Sequence, residues 1–181
     1  MLLEQEVEKI VAARRITARS LEDHYATSAA DAGGAIAEKL GVAREQTKML
    51  KILGEGMIRF QLEANRARSR EEIASVASKA LVYIRWLKIM ESRGQASLKG
   101  NTGRQIEEIT DLAKEAKAGT QLRSGDVDLL LLNSTKISRM PFAFHAAALM
   151  GKDEPKFRNA FNKALRQIEK RTHVEWTAKT N

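Results

Sequence analysis

The sequence predicts an all-α fold, and three observations carry that prediction. Ala, Leu, Glu, Lys, Arg and Gln dominate the 181 residues, and the alternating patterns of β-strands are nearly missing. Two prolines and eleven glycines are too few for many tight hairpins. Apolar residues recur instead at three- and four-residue steps, the period of a helix face. We expect a single helical domain over residues 1–172, a bundle of about six to eight helices, and a frayed polar tail over 173–181.

The first helix is expected from Leu3 to Ala26, with Leu3, Val7, Ile10, Ala18, Leu21 and Tyr25 on one face and Arg14 interrupting it. Ser28 to Gly34 reads as a break of small residues. Residues 35–50 then resemble the core of a helix-turn-helix, in which Gly41 supplies the left-handed turn and Val42 locks the corner. Thr47 departs from that pattern, because a recognition helix buries Val or Ile there. The helix Arg44 to Ala64 is apolar on more than one face, which suggests burial on several sides or a protein neighbour.

Ser69 or Arg70 opens the next helix, with Glu71 and Glu72 in its first turn as the helix dipole prefers. It runs to Arg93 and stops at Gly94; Ile73, Val76, Ala77, Ala80, Leu81, Ile84 and Leu87 face inward. A glycine-bearing loop leads to a helix capped by Thr102, with Ile106, Ile109, Leu112 and Ala116 inward. A short helix from Gly125 to Leu132, capped by Ser124, and another from Ser138 to Gly151 follow, with Pro141 in the first turn of the second. Asp153 caps the last helix, whose stripe is Phe157, Phe161, Leu165 and Ile168.

Charge is uneven along this frame. Of the net charge of +8, six fall between Arg59 and Arg104, where ten Lys/Arg stand against four Glu. Clustered cations repel unless phosphates or solvent compensate them, so a polyanion partner is expected. Arg66, Arg68 and Arg70 precede the 70–93 helix, and Arg93, Lys99 and Arg104 follow it. Lys79, Arg85 and Lys88 lie on its polar side, so a rail about 35 Å long could track a nucleic acid backbone. The candidate phosphate contacts are Arg59, Arg66, Arg68, Arg70, Arg85, Lys88, Arg93, Lys99 and Arg104. Tyr83 and Trp86 could stack on bases, but both fall near the apolar face and read as core. Aromatic residues make up 5% of the chain, which favours backbone contact over base reading.

Catalysis has little support. His24, His145 and His173 lie far apart without metal-ligand spacing, and cysteine is absent. Glu22-Asp23-His24 are adjacent on a helix and so point apart. Lys99 to Arg104 holds two glycines without the Gly-Lys-Ser/Thr ending of a phosphate-binding loop. Neither an enzyme nor a cofactor or metal is expected. The start, Met1 to Glu8, is acidic where a secretory leader is basic and then apolar. The strongest apolar run, Pro141 to Met150, is short of the roughly 20 residues that span a bilayer. A cytoplasmic protein without membrane contact follows.

Three stretches carry a family resemblance. Leu81-Val-Tyr-Ile-Arg-Trp-Leu-Lys-Ile-Met-Glu-Ser-Arg93 is a Tyr-bearing amphipathic helix ending in Arg before Gly94. Arg44 to Phe60, with Lys48, Lys51 and Arg59, sits upstream as a basic helix. Phe142-Ala-Phe-His-Ala-Ala-Ala148 is a Phe- and Ala-rich late helix. Together they resemble the small helical subunit of CRISPR effector complexes of type III, although the first and last helices are longer here. That resemblance implies a non-catalytic subunit of an antiviral ribonucleoprotein, present in repeated copies beside other protein subunits. It would contact RNA or the target-strand backbone, so RNA or single-stranded DNA is expected in preference to duplex DNA. The alternatives are a DNA-binding regulator or packaging protein that reads with residues 35–50 through Arg44 and Lys48, and a coat or scaffold protein lining a nucleic acid.

Overall fold

A computed structural model describes residues 18–172, and every regular element within them is helical. The expected start of the first helix at Leu3, the position of Arg14, His173 and the 173–181 tail lie outside the described residues. The helices are α1 (Ala18–Lys39), α2 (Arg44–Arg66), α3 (Arg70–Ser92), α4 (Asn101–Lys117), α5 (Ser124–Met150) and α6 (Glu154–Thr172); a 3₁₀ turn, Gly151–Asp153, precedes α6. No described helix is long and apolar enough to cross a membrane.

Among the described residues, two pairs of segments that the sequence separates are each a single longer helix, for two physical reasons. The expected break at Ser28 to Gly34 does not occur, because Gly33 and Gly34 are sites of close approach within a continuous α1. A Cβ on Gly33 would stand 3.2 Å from Cε2 of Phe161, and one on Gly34 would collide with the end of Lys51. Packing there outweighs the helix penalty of about 1 kcal/mol per glycine. The two short helices expected over 125–151 are likewise a single helix, α5, and Pro141 lies well inside it rather than in a first turn. Leu130, Asn133, Ser134, Ile137, Ser138, Pro141 and Phe142 form an unbroken buried stripe. Burying that stripe exceeds the roughly 3 kcal/mol that an interior proline costs.

The chain divides into two compact units. The first comprises residues 18–59 and 149–172. In it, α1 packs along α6 through small side chains, Ala26, Ala29, Ala30 and Gly33, beside the stacked rings of Phe157 and Phe161, whose centroids are 5.6 Å apart. The Tyr25 hydroxyl donates to the Leu165 carbonyl at 3.5 Å, and burial raises its pKa far above the usual phenol range. The corner from α1 to α2 is a C-cap: Gly41 has φ of 93°, its N–H reaches the Glu38 carbonyl, and the Val42 N–H reaches that of Ala37. Val42 is buried against this turn, and Thr47 takes the next buried position with its hydroxyl donating to the Arg44 carbonyl.

The second unit spans residues 60–148. Its centre is the antiparallel pairing of α3 and α4, where Ile84, Leu87, Ile106, Ile109 and Ala113 share one buried cluster with Leu130 and Ile137 of α5. Ser69 caps α3 in a reciprocal box: its hydroxyl accepts from the Glu72 N–H, and the Glu72 carboxylate accepts from the Ser69 N–H. That pair holds the exposed Glu72 carboxyl below its ordinary range. Gly94 closes α3 with the same C-cap geometry as Gly41. Thr102 does not cap α4, which begins at Asn101 behind Gly100 with no side-chain cap.

Leu87 is fully buried, so Leu87→Ala should cost about 2–5 kcal/mol of unfolding free energy in a urea titration. Gly41→Ala forces a side chain into a left-handed turn and should cost about 1 kcal/mol or more by the same measurement.

Candidate functional site

Helix geometry sorts the polar residues of α3 onto two flanks. Lys79 and Lys88 are nine residues apart, which at about 100° per residue sets them half a turn apart around the axis. Lys79 therefore turns towards α2, where its ammonium pairs with Glu63, whose carboxylate also accepts from Ser75 at 2.9 Å. Arg85 and Lys88 lie on the flank beside α4. The expected rail through Lys79, Arg85 and Lys88 thus splits.

The α4 side supplies what the sequence reading omitted. Lys114 and Lys117, with Thr110, form a stripe beside the buried row Ile106, Ile109, Ala113 and Ala116. Packing of that row against α3 brings the two lysines opposite Arg85 and Lys88 across an open groove of about 710 Å³. Leu81, Val82, Ile84 and Ala118 line it between the cations, and Val82 is 59% exposed. The lining contains four exposed cations and no carboxylate. None of the four forms an ion pair with another described residue. Lys114 and Lys117 also stand in the last turn of α4, where the helix dipole favours cations. The signal that could have revealed them is their three-residue spacing on the face flanking the buried stripe.

The remaining candidates are placed elsewhere. Arg59 is neutralised: its guanidinium donates to Glu55 at 2.8 and 3.1 Å and pairs with Asp23. The bond to Glu55 does most to raise its pKa, burial opposes that rise, and Asp23 adds to it. It lies in the first unit and is not part of the groove. Arg66 and Arg68 fold back on the end of α2; Arg66 Nε donates to the Leu62 carbonyl at 3.4 Å, and Arg68 Nη1 to those of Asn65 and Ala67 at 3.1 and 2.9 Å. Arg70 donates to Oε1 of Gln121 at 2.9 Å. Arg93, Lys99 and Arg104 are exposed around the α3–α4 loop, outside the groove lining, and Arg104 donates to Asn101 at 2.7 Å.

Tyr83 and Trp86 pack into the core. Tyr83 meets Phe60 edge-on at 5.2 Å, and burial pushes its hydroxyl up to about 12. Trp86 is half-buried against the α3–α4 cluster. In the first unit, Arg44 contacts Glu38 at 3.5 Å and Lys51 contacts Asp31 at 3.8 Å, while Lys48 is exposed with no ion pair to a described residue. Of the Glu22-Asp23-His24 triplet, Glu22 is buried, Asp23 is spent on Arg59, and His24 is exposed. Among the described residues no His, Asp and Glu are grouped to hold a metal ion.

His145 is half-buried on α5, its Nε2 has no hydrogen-bond partner, and burial lowers its pKa. Below about pH 6.5 the unfolded chain therefore binds this proton more readily than the folded one. Its contribution to stability should be intact above that pH and lost as pH falls through the lowered folded value. Denaturant midpoints measured from pH 7.5 to 5 should fall less steeply for His145→Phe than for the native chain.

No protein-family model matches the chain, and neither a curated protein nor a solved structure shows significant similarity to it.

Proposed function

We propose that the protein is a non-catalytic nucleic-acid-binding subunit, and that the α3–α4 groove holds the phosphate backbone of a single strand. The observation that carries this reading is the groove itself: Arg85, Lys88, Lys114 and Lys117 on two walls without a carboxylate between them. Ordinary helical surfaces intersperse both signs, whereas this lining carries one sign only; Arg59 and Lys79, by contrast, each meet a carboxylate. Four unpaired cations facing one trough leave a local field that an anion relieves.

The apolar floor favours a single strand of RNA or DNA over a duplex. A duplex offers a surface mainly phosphate and sugar, whereas a single strand can also lay sugars and base faces on Leu81 and Val82. Protein neighbours are expected on α2, where Met49 is 44% and Ile52 61% exposed on a water-facing helix. The sequence resemblance to small subunits of CRISPR effector complexes is in keeping with such a role within a larger ribonucleoprotein.

Four phosphate contacts on a single strand predict that log affinity falls with log salt at a slope of about −3. Anisotropy titrations of a short oligouridylate at several salt concentrations measure it. Lys114→Ala and Lys117→Ala should each weaken binding and flatten the slope by about 0.7, with circular dichroism unchanged. Arg59→Ala should leave binding unaltered. No binding at low salt, or a salt-independent affinity, rules the reading out.

A further inference from the structure

Beyond the groove, the second unit holds a separate cavity of about 420 Å³ where the start of α3 meets the α4–α5 connection. Its size suits one nucleotide or another drug-sized molecule, not a length of chain. Arg68 and Arg70 supply its positive side, Ile73, Leu122 and Val127 its apolar surface, and Thr120 and Ser124 hydroxyls. Asp128 is the one carboxylate in the lining.

Three features distinguish the chemistry. The neutral Gln121 side chain accepts one N–H of Arg70 at 2.9 Å, which orients the guanidinium without cancelling its charge. No described carboxylate pairs with Arg70, so its other donors remain available to an anion. Ser124 opens the long helix α5, so the positive end of that helix adds to the preference for negative charge. A second anionic group would meet repulsion from Asp128. A sugar hydroxyl would instead donate to it, while a base covers the apolar side.

We propose that this cavity binds a single nucleotide through its phosphate monoester, and that it takes the phosphorylated end of a strand lying in the groove. The strand-end half of the proposal rests on the groove reading. Ala116 in the cavity adjoins Lys117 in the groove on α4, and Ile73 and Ser78 are about 8 Å apart along the axis of α3 though about 140° apart around it, so the two openings are close.

Anisotropy titrations should compare a short oligouridylate bearing a 5′-phosphate, a 3′-phosphate or neither, at one salt concentration. One phosphorylated form should bind about tenfold tighter than the unphosphorylated one, the gain of a charge-assisted bidentate contact. Arg70→Ala and Arg70→Gln should abolish that preference and keep the remaining affinity, Gln121→Ala should weaken it, and Arg93→Ala, outside both linings, should retain it. Equal binding of all three oligonucleotides by the native chain overturns the strand-end assignment. Methyl chemical shifts of Ile73 and Val127 during a titration with uridine monophosphate read the cavity independently of the groove. Shifts there sustain the nucleotide pocket even if no oligonucleotide binds, in which case the groove reading has failed and the ligand is a free nucleotide. Absence of shifts, with no phosphate preference, overturns the pocket.

Discussion

Ile84 and Leu87 of α3 share one buried cluster with Ile106, Ile109 and Ala113 of α4, and this apolar contact sets cations from two helices on facing walls. The energetics allow it. Each fully buried Leu or Ile contributes about 1.5–3 kcal/mol, whereas like charges in water repel by about 1 kcal/mol at 4 Å and are screened within about 10 Å. Packing therefore dictates the helix pairing, and charge has to accommodate it. The long stems of Arg85, Lys88, Lys114 and Lys117 keep their charged heads in water, which avoids any cost of burying them.

Helix identity was legible along the chain because the three- and four-residue stripes are long and clean, as in Phe157 and Phe161 or Ile106 and Ile109. The interruptions were less legible. Gly33 looks like a breaker until Phe161, far along the chain, is known to need its missing side chain, and Pro141 looks like a helix start until its burial is seen. Both are cases of tertiary packing overriding local preference. The capping box at Ser69 and Glu72 was partly legible, since the acidic first turn is visible in sequence.

The candidate site was legible only in half. Counting charge along the chain located Arg85 and Lys88, but it grouped them with Lys79, which helix rotation sends to Glu63, and with Arg59, which Asp23 and Glu55 neutralise. It passed over Lys114 and Lys117 because Glu107, Glu108, Asp111 and Glu115 offset them in any linear sum. None of those four carboxylates lines the groove. A cationic surface is a property of faces, and faces follow the 3.6-residue period rather than windows of sequence.

The corner at Gly41 shows why a motif in sequence needs its geometry before it carries function. Its two hydrogen bonds, from Gly41 to Glu38 and from Val42 to Ala37, recur at Gly94 and Gly119, where α3 and α4 end. A device used three times to stop helices is a chain-reversal element, and its presence between α1 and α2 adds nothing specific to DNA. What would make that corner a reader is unpaired polar chemistry on the outer face of α2; there Arg44 and Lys51 contact Glu38 and Asp31, Lys48 stands without an ion pair to a described residue, and the exposed Met49 and Ile52 lie beside it. The groove leaves its cations unpaired and its apolar floor open, the pairing of charge with base-sized contact that a single strand can use.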